Sequence, residues 1–344
     1  MEMKKLYIRS RVHDERGEGM RKIVDDMRLL VKCCSLYYRD NLGQEEICEI
    51  LGVSRPTVSR LLKLGREKGI VKIEVLDPFA PEFGETERRL EEKFGFREVI
   101  VVEDRPSRSE SEHISPLLGT TALAYLDRIL KDGDMVGVTL GLTLYNIVHA
   151  DYTVDKAVQC CFVPVLGGVG ETYAELHANR LAEEFARKFR SDFLPFYAPA
   201  LFSDAGVLQG FKKEPSVRKV FSLFERLDVV LFSIGVPQGD YSTVLRMKYI
   251  DEKILKAFSE QGAVGDIGLQ YFDINGSPRA FVSHNERVAG MTLADLRKVP
   301  RRIAVVAGED KVKAVVGAVR GGYINTLITD ASCAQALVNF NEEL

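Results

Sequence analysis

Between Ser54 and Lys68 the sequence SRPTVSRLLKLGREK combines short hydroxyls with long cations and holds a single acidic residue, Glu67. Val58, Leu61 and Leu62 recur at helical spacing and predict an apolar face. The surface left over carries Arg55, Thr57, Ser59, Arg60, Lys63 and Arg66, side chains that reach base edges and phosphates. We expect Arg55, Thr57 and Ser59 to face bases and Gln44, Arg60, Lys63 and Arg66 to face phosphates, with Ser54 at the same DNA-binding surface. A basic amphipathic helix standing alone is more often only a solvated face. Here the neighbouring elements stand in register with it, and double-stranded DNA is the partner that this surface implies.

A second set of residues suits a small anion or polyol. Three loops rich in glycine and hydroxyls follow apolar runs: Thr139, Leu140, Gly141, Leu142 and Thr143; Gly167, Gly168, Val169 and Gly170; and Gly235, Val236 and Pro237. Glycine lets backbone N–H groups approach an anion, a following helix adds its positive dipole end, and threonine adds a donor. Singly, each loop is ordinary turn chemistry. Together they predict a phosphate-sized site, to which Lys311 adds a cation and Asp266 an acceptor for sugar hydroxyls. Asn179 is a further candidate. The plain alternatives are a solvated first-turn lysine and a turn aspartate.

The elements that must position these groups follow from periodicity. Leu29, Leu30, Cys33, Leu36 and Tyr37 predict a first helix. Gln44–Leu51 predicts a second, with Ile47, Ile50 and Leu51 inward and Gly52 at its end. The third begins with Ser54 as N-cap and Pro56 in the first turn, and Gly69 stops it. Ile70–Val75 alternates as a strand and would form a wing. This order places a recognition helix in the major groove. Residues 77–96 read as a linker, opening on Pro78 and Pro81, with Phe83, Leu90 and Phe94 able to dock one side of a helix. Residues 104–113 read as a polar loop.

From residue 97 onward, apolar runs of strand length alternate with amphipathic helices, which predicts a parallel sheet covered on both faces. The runs lie near Val99–Val102, Met135–Thr139, Ala157–Val163, Phe193–Phe196, Val229–Ile234, Leu269–Ile274, Ile303–Val306 and Ile324–Ile328. Ligands in such sheets bind beyond the carboxyl ends of the strands.

A length of 344 residues favours two domains. Residues 1–26 form a charged extension, 27–76 the nucleic-acid-binding domain and 97–344 an effector-binding and oligomerisation domain. Residues 1–76 carry 16 Lys and Arg against 12 Asp and Glu, whereas the remainder carries 31 against 38. A basic head on an acidic body suits contact with nucleic acid. No apolar run reaches the length of a membrane helix, and the charged start lacks a signal-peptide core, so a cytoplasmic location is expected. The six cysteines include two adjacent pairs and no Cys-x-x-Cys, which argues for buried thiols rather than a metal or redox site. No cofactor is expected beyond the small-molecule effector.

The chain resembles the SorC family of sugar-responsive transcriptional regulators. The matching segments are Gln44 to Ile47, Leu51 to Arg55, Val58 to Leu62, Gly69 to Val71, Gly262 to Asp266 with Phe272 and Asp273, and Gly321 to Asn325 with Leu327 to Asp330. The resemblance implies an α/β chain: an all-α winged helix-turn-helix followed by a Rossmann-like sensor resembling glucosamine-6-phosphate deaminase and ribose-5-phosphate isomerase. It further implies a homo-oligomer, dimer or tetramer, on palindromic operators, reorganised by a sugar phosphate at Thr139–Thr143, the Gly167 loop, Asp266 and Lys311. Leu140, Gly141 and Leu142 depart from the family pattern, in which an aromatic or polar residue often flanks the glycine. An enzyme is the competing class, because the implied sensor fold elsewhere isomerises or deaminates sugar phosphates, and His177, Glu175 and Asp266 are available as acid or base. A winged module with a purely oligomerising domain is the third.

Overall fold

The computed structural model describes residues 27–72, 83–103, 114–168, 173–237 and 243–341. The chain divides between Phe79 and Ala80 into two compact units.

The first unit holds three helices, α1 (Met27–Tyr38), α2 (Gln44–Leu51) and α3 (Arg55–Glu67). Leu30, Cys33, Cys34, Ile47, Val58, Leu61 and Leu62 form their shared core. The corner between α2 and α3 depends on Gly52, whose left-handed φ of 65° lets its N–H turn back to the Cys48 carbonyl. Close approach of α1 to α3 depends on Gly65, since a β-carbon there would stand 2.4 Å from Cys34 Sγ. Burial holds the Cys33 thiol up at about 11, in keeping with an inert apolar role.

Two expectations change here. Ile50, expected inward, is 52% exposed, because the inward face of α2 is made by Ile47, Cys48 and Leu51 and Ile50 lies off it around the helix axis. The expected strand at Ile70–Val75 is a turn over its described part: Gly69 has φ 67°, and the N–H groups of Ile70 and Val71 both return to the Gly65 carbonyl. Residues 73–75 lie outside the described residues, as do the extension 1–26 and the loop 104–113.

The second unit runs through α4 (Gly84–Phe94), β1 (Glu98–Val102), α5 (Pro116–Ile129), β2 (Met135–Val138), α6 (Leu142–Val148), β3 (Cys161–Pro164), α7 (Ala178–Phe189) and β4 (Asp192–Phe193). It continues through α8 (Ala205–Phe211), α9 (Pro215–Leu223), β5 (Val229–Phe232), α10 (Thr243–Arg246), α11 (Glu252–Glu260), β6 (Ala263–Ile267) and β7 (Gln270–Asp273). It ends with α12 (Val282–Asn285), α13 (Leu293–Leu296), β8 (Arg301–Val306), α14 (Val312–Arg320), β9 (Thr326–Asp330) and α15 (Ala331–Asn339).

Seven strands form one parallel sheet in the order β1-β9-β8-β5-β2-β3-β4. Alternate residues of these strands point into two separate apolar clusters, so both faces are covered: Val163, Val230 and Ala304 on one side, Phe162, Val229 and Ile303 on the other.

Leu269–Ile274, expected as a strand of the main sheet, instead supplies β7, which pairs antiparallel with β6 in a separate hairpin. Gly268 and Leu269 form its two-residue turn with φ of 57° and 67°, the left-handed geometry that a tight hairpin demands. The strand expected at Phe193–Phe196 shrinks to the two residues of β4, at the sheet edge.

Residues 84–94, expected within the linker, form α4 and pack into the second unit. Leu90 is fully buried among core residues that include Phe94, Val99 and Val101. Glu91 Oε1 accepts the Val99 N–H and Glu87 Oε1 the Val101 N–H, both at 2.9 Å. These are the outward N–H groups of edge strand β1, and the helix satisfies them with side chains where no neighbouring strand stands.

Candidate functional site

The parallel order sets the carboxyl ends of β8, β5, β2 and β3 side by side. The chain reaches β3 and β4 on one side of β2 and returns to β5 on the other, so the loops after β2 and β5 flank the point where the strand order reverses. Thr139 follows β2, is 3% exposed, and donates its N–H to the Leu231 carbonyl at 3.3 Å. Gly141, at φ 128° and ψ 163°, occupies a region closed to other residues and starts α6, with Leu142 and Thr143 half-buried in its first turn.

The glycine amides themselves are not turned to a ligand. Gly141 N–H donates to the Leu176 carbonyl at 3.0 Å, Gly167 N–H to Ala289 at 2.8 Å and Gly235 N–H to Asp266 at 2.9 Å. These loops are pinned to their neighbours, and the glycines serve close approach. A β-carbon on Gly167 would stand 2.7 Å from the Ala198 and Pro199 carbonyls, and one on Gly168 2.7 Å from His177 Nδ1. Val169 lies outside the described residues. In α6 the first-turn N–H groups of Leu142 and Thr143 have no acceptor within the helix.

Asp266, near the end of β6, and Gly235 exchange two backbone hydrogen bonds, and Asp266 Oδ2 accepts the Leu269 N–H at 3.1 Å, which braces the hairpin turn. The adjacent Lys311, on the turn after β8, donates Nζ to the Ile234 carbonyl at 3.2 Å. Burial pushes the Asp266 carboxyl up to about 6, against the opposing pull of the Leu269 N–H and the Lys311 ammonium. Burial likewise draws Lys311 below the ordinary lysine range, opposed by Asp310 and Asp266. Both shifts point the same way: desolvation outweighs the attraction between the two groups.

On the other side of the Gly141 link, His177 Nδ1 and the Tyr249 hydroxyl stand 2.7 Å apart. Tyr249 was not among the sequence candidates, since no glycine turn or strand end marks it. Glu175 is exposed on the turn Ala174–Leu176, away from this contact between imidazole and phenol. Asn179 is committed elsewhere: its amide donates to the Phe196 carbonyl and accepts the Phe196 N–H, both at 2.8 Å. Among the described residues no group of three His, Cys, Asp or Glu gathers to hold a metal, and no helix is long and apolar enough to cross a membrane.

In the first unit, α3 exposes Arg55, Ser59, Arg60, Lys63 and Arg66, and Ser54 is exposed ahead of it. Arg55 pairs with Glu45 of α2 at 3.5 Å and Lys63 with Glu67 at 3.7 Å, both at the solvent surface, where such pairs hold little energy. Gln44 is half-buried at the start of α2. Thr57 departs from expectation. It stands one turn before Leu61 on the core face, is 9% exposed, and hydrogen-bonds Ser54 Oγ at 2.9 Å. Thr57 therefore fixes the start of α3 and is withdrawn from the cationic surface.

Comparison with known proteins covers both units. The family profile of a sugar-binding domain matches residues 82–339. The sorbitol operon regulator of Klebsiella pneumoniae is 30% identical over 315 residues, 91% of this chain and 98% of that protein. The crystal structure of that full-length regulator, SorC, superposes with a TM-score of 0.67, covering 92% of this chain and 100% of the other. The chain belongs to the SorC family. A second relative, the deoxyribonucleoside regulator of Bacillus subtilis, is 34% identical over 319 residues, 92% of this chain and 98% of its own. The transcriptional regulator LsrR of Escherichia coli K12 is 30% identical over 303 residues, 88% and 92%. The sugar-binding match begins at residue 82, so α4 falls inside the SorC sugar-binding domain.

Proposed function

We propose that this chain is a DNA-binding transcriptional regulator of a carbohydrate catabolic operon, controlled by a sugar or sugar phosphate. The observation that carries the reading is the SorC match across both units, one bearing an exposed cationic helix and the other a sugar-binding domain.

The first unit acts as a helix-turn-helix, with α3 in the major groove of double-stranded operator DNA and Arg60, Lys63 and Arg66 on phosphates. The second unit is a sensor resembling glucosamine-6-phosphate deaminase and ribose-5-phosphate isomerase, converted from turnover to binding. The effector lies over the carboxyl ends of β5 and β2. There Asp266 accepts hydroxyl protons, Lys311 faces the anionic group, and the first turn of α6 with Thr139 completes the donor set. A homo-oligomer, dimer or tetramer, brings two recognition helices to one operator in the cytoplasm. The effector acts by stabilising one arrangement of that oligomer.

A thermal-shift screen of sugars and their phosphates tests the sensor, since a ligand that binds only the folded state raises the melting temperature. A ligand found in this way is then expected to change operator affinity. Absence of any response would leave the second unit as an assembly domain. Conversion of the ligand followed by NMR would favour the enzyme reading instead.

A further inference from the structure

Helix α15 joins the carboxyl edge of the sheet to α4, and each of its ends is held by a charged side chain. At the N-terminus Asp330 Oδ1 accepts the Cys333 N–H at 3.0 Å and caps the helix. The same carboxylate accepts the Gly308 N–H through both oxygens, at 3.2 and 2.9 Å. Gly308 opens the turn that carries Lys311, at φ 95°. One carboxylate thus grips both the helix and the lysine-bearing turn. At the C-terminus Lys93 Nζ donates to the carbonyls of Leu337 and Val338, at 3.2 and 2.9 Å, and to that of Phe340. Lys93 belongs to the last turn of α4, which Glu87 and Glu91 fasten to β1 and through which the chain enters the second unit.

A nine-residue helix is a stiff element roughly 13 Å long. We infer that α15 is a strut which transmits displacement of the Gly308–Lys311 turn to α4, with Lys93 as the positioning residue that makes the far connection. α15 and α4 also share the apolar core that holds Leu90, Phe94, Leu337 and Val338; without Lys93 the turn and α15 still move together, and α4 follows less closely. The inference rests on the regulator reading for its purpose, whereas its test uses neither effector nor DNA, so either can fail alone.

Coupling of this kind is reciprocal. Amide hydrogen exchange is measured on the full chain for wild type, Lys93→Met, Asp330→Ala and the double variant. Loss of the Asp330 cap is expected to speed exchange in peptides of α4 about fivefold, the size of one lost helix cap. In the Lys93→Met background the same substitution adds markedly less to α4. In the reverse direction Lys93→Met speeds exchange around Gly308 by a comparable factor, and Lys93→Arg restores protection. The inference is overturned if Asp330→Ala loosens α15 and leaves α4 unchanged, or if its effect on α4 is the same with and without Lys93. Should Asp330→Ala fail to fold, unchanged exchange at Gly308 in Lys93→Met overturns it.

Discussion

Gly235 and Asp266 lie so close that a β-carbon on the glycine would stand 2.0 Å from Asp266 Oδ1, while their backbones exchange hydrogen bonds of 2.9 and 3.0 Å. The β6–β7 hairpin is thereby locked against the loop after β5, and Asp266 is set beside Lys311. Gly235→Ala is expected to lower the stability of the second unit by about 1–3 kcal/mol through overpacking. In an Asp266→Ala background the same change should cost markedly less. Thermal melts of the four proteins check this; equal costs in both backgrounds would place the strain elsewhere.

Asp266 also gives the second unit a pH dependence. Its folded-state pKa of about 6 stands above the ordinary 3.8, so the folded protein holds this proton more tightly than the unfolded chain. The resulting stability is fully present below the unfolded value and is lost as pH rises through about 6, by on the order of 3 kcal/mol. Asp266→Asn should therefore melt higher than wild type at pH 7.5, with the difference closing toward pH 4.5. A difference that does not vary with pH would show that the carboxyl is not held protonated by burial.

In the first unit, the contact between Gly65 and Cys34 sets the spacing of α1 and α3. Gly65→Ala must move Cys34 Sγ and is expected to destabilise this unit by about 1–3 kcal/mol, despite the better helix propensity of alanine. Cys34→Ala removes the obstructing sulfur and should recover part of the loss. Far-ultraviolet circular dichroism during thermal unfolding reads both effects.

The cations on α3 predict a salt dependence. Arg60→Ala and Lys63→Ala should each weaken binding to a duplex of arbitrary sequence and reduce the slope of log affinity against log salt by about 1. Thr57→Ala should leave that slope unchanged, since the hydroxyl is turned to Ser54, and act only through stability. A salt titration by fluorescence anisotropy separates these outcomes; a slope insensitive to Arg60 and Lys63 would remove α3 from the phosphate backbone.

The parallel sheet was legible because buried strands announce themselves as apolar runs, and Gly235 and Lys311 follow strands of that sheet which the sequence already marks. The β6–β7 hairpin was less so. Its turn uses Leu269 at positive φ, where turn chemistry favours glycine or asparagine, and what stabilises it is a contact from Asp266 that sequence spacing does not reveal. The glycine loops misled in a specific way: glycine permits close approach, and whether the approaching group is a ligand or another loop depends on tertiary packing. Thr57 and Ile50 show the same limit in helices, where one position around the axis separates core from solvent.

The carboxylates of Glu87 and Glu91 on the rim strand β1 bear on how copies of this protein can associate. An unpaired rim strand offers a template onto which a foreign strand adds, the route to runaway fibre growth. Here the two N–H groups that a newcomer would use are already occupied, and the opposite rim, β4, offers only two residues. Among the described residues, the rims of the main sheet are thus poor ground for self-association, which leaves it to surfaces that can close into finite assemblies.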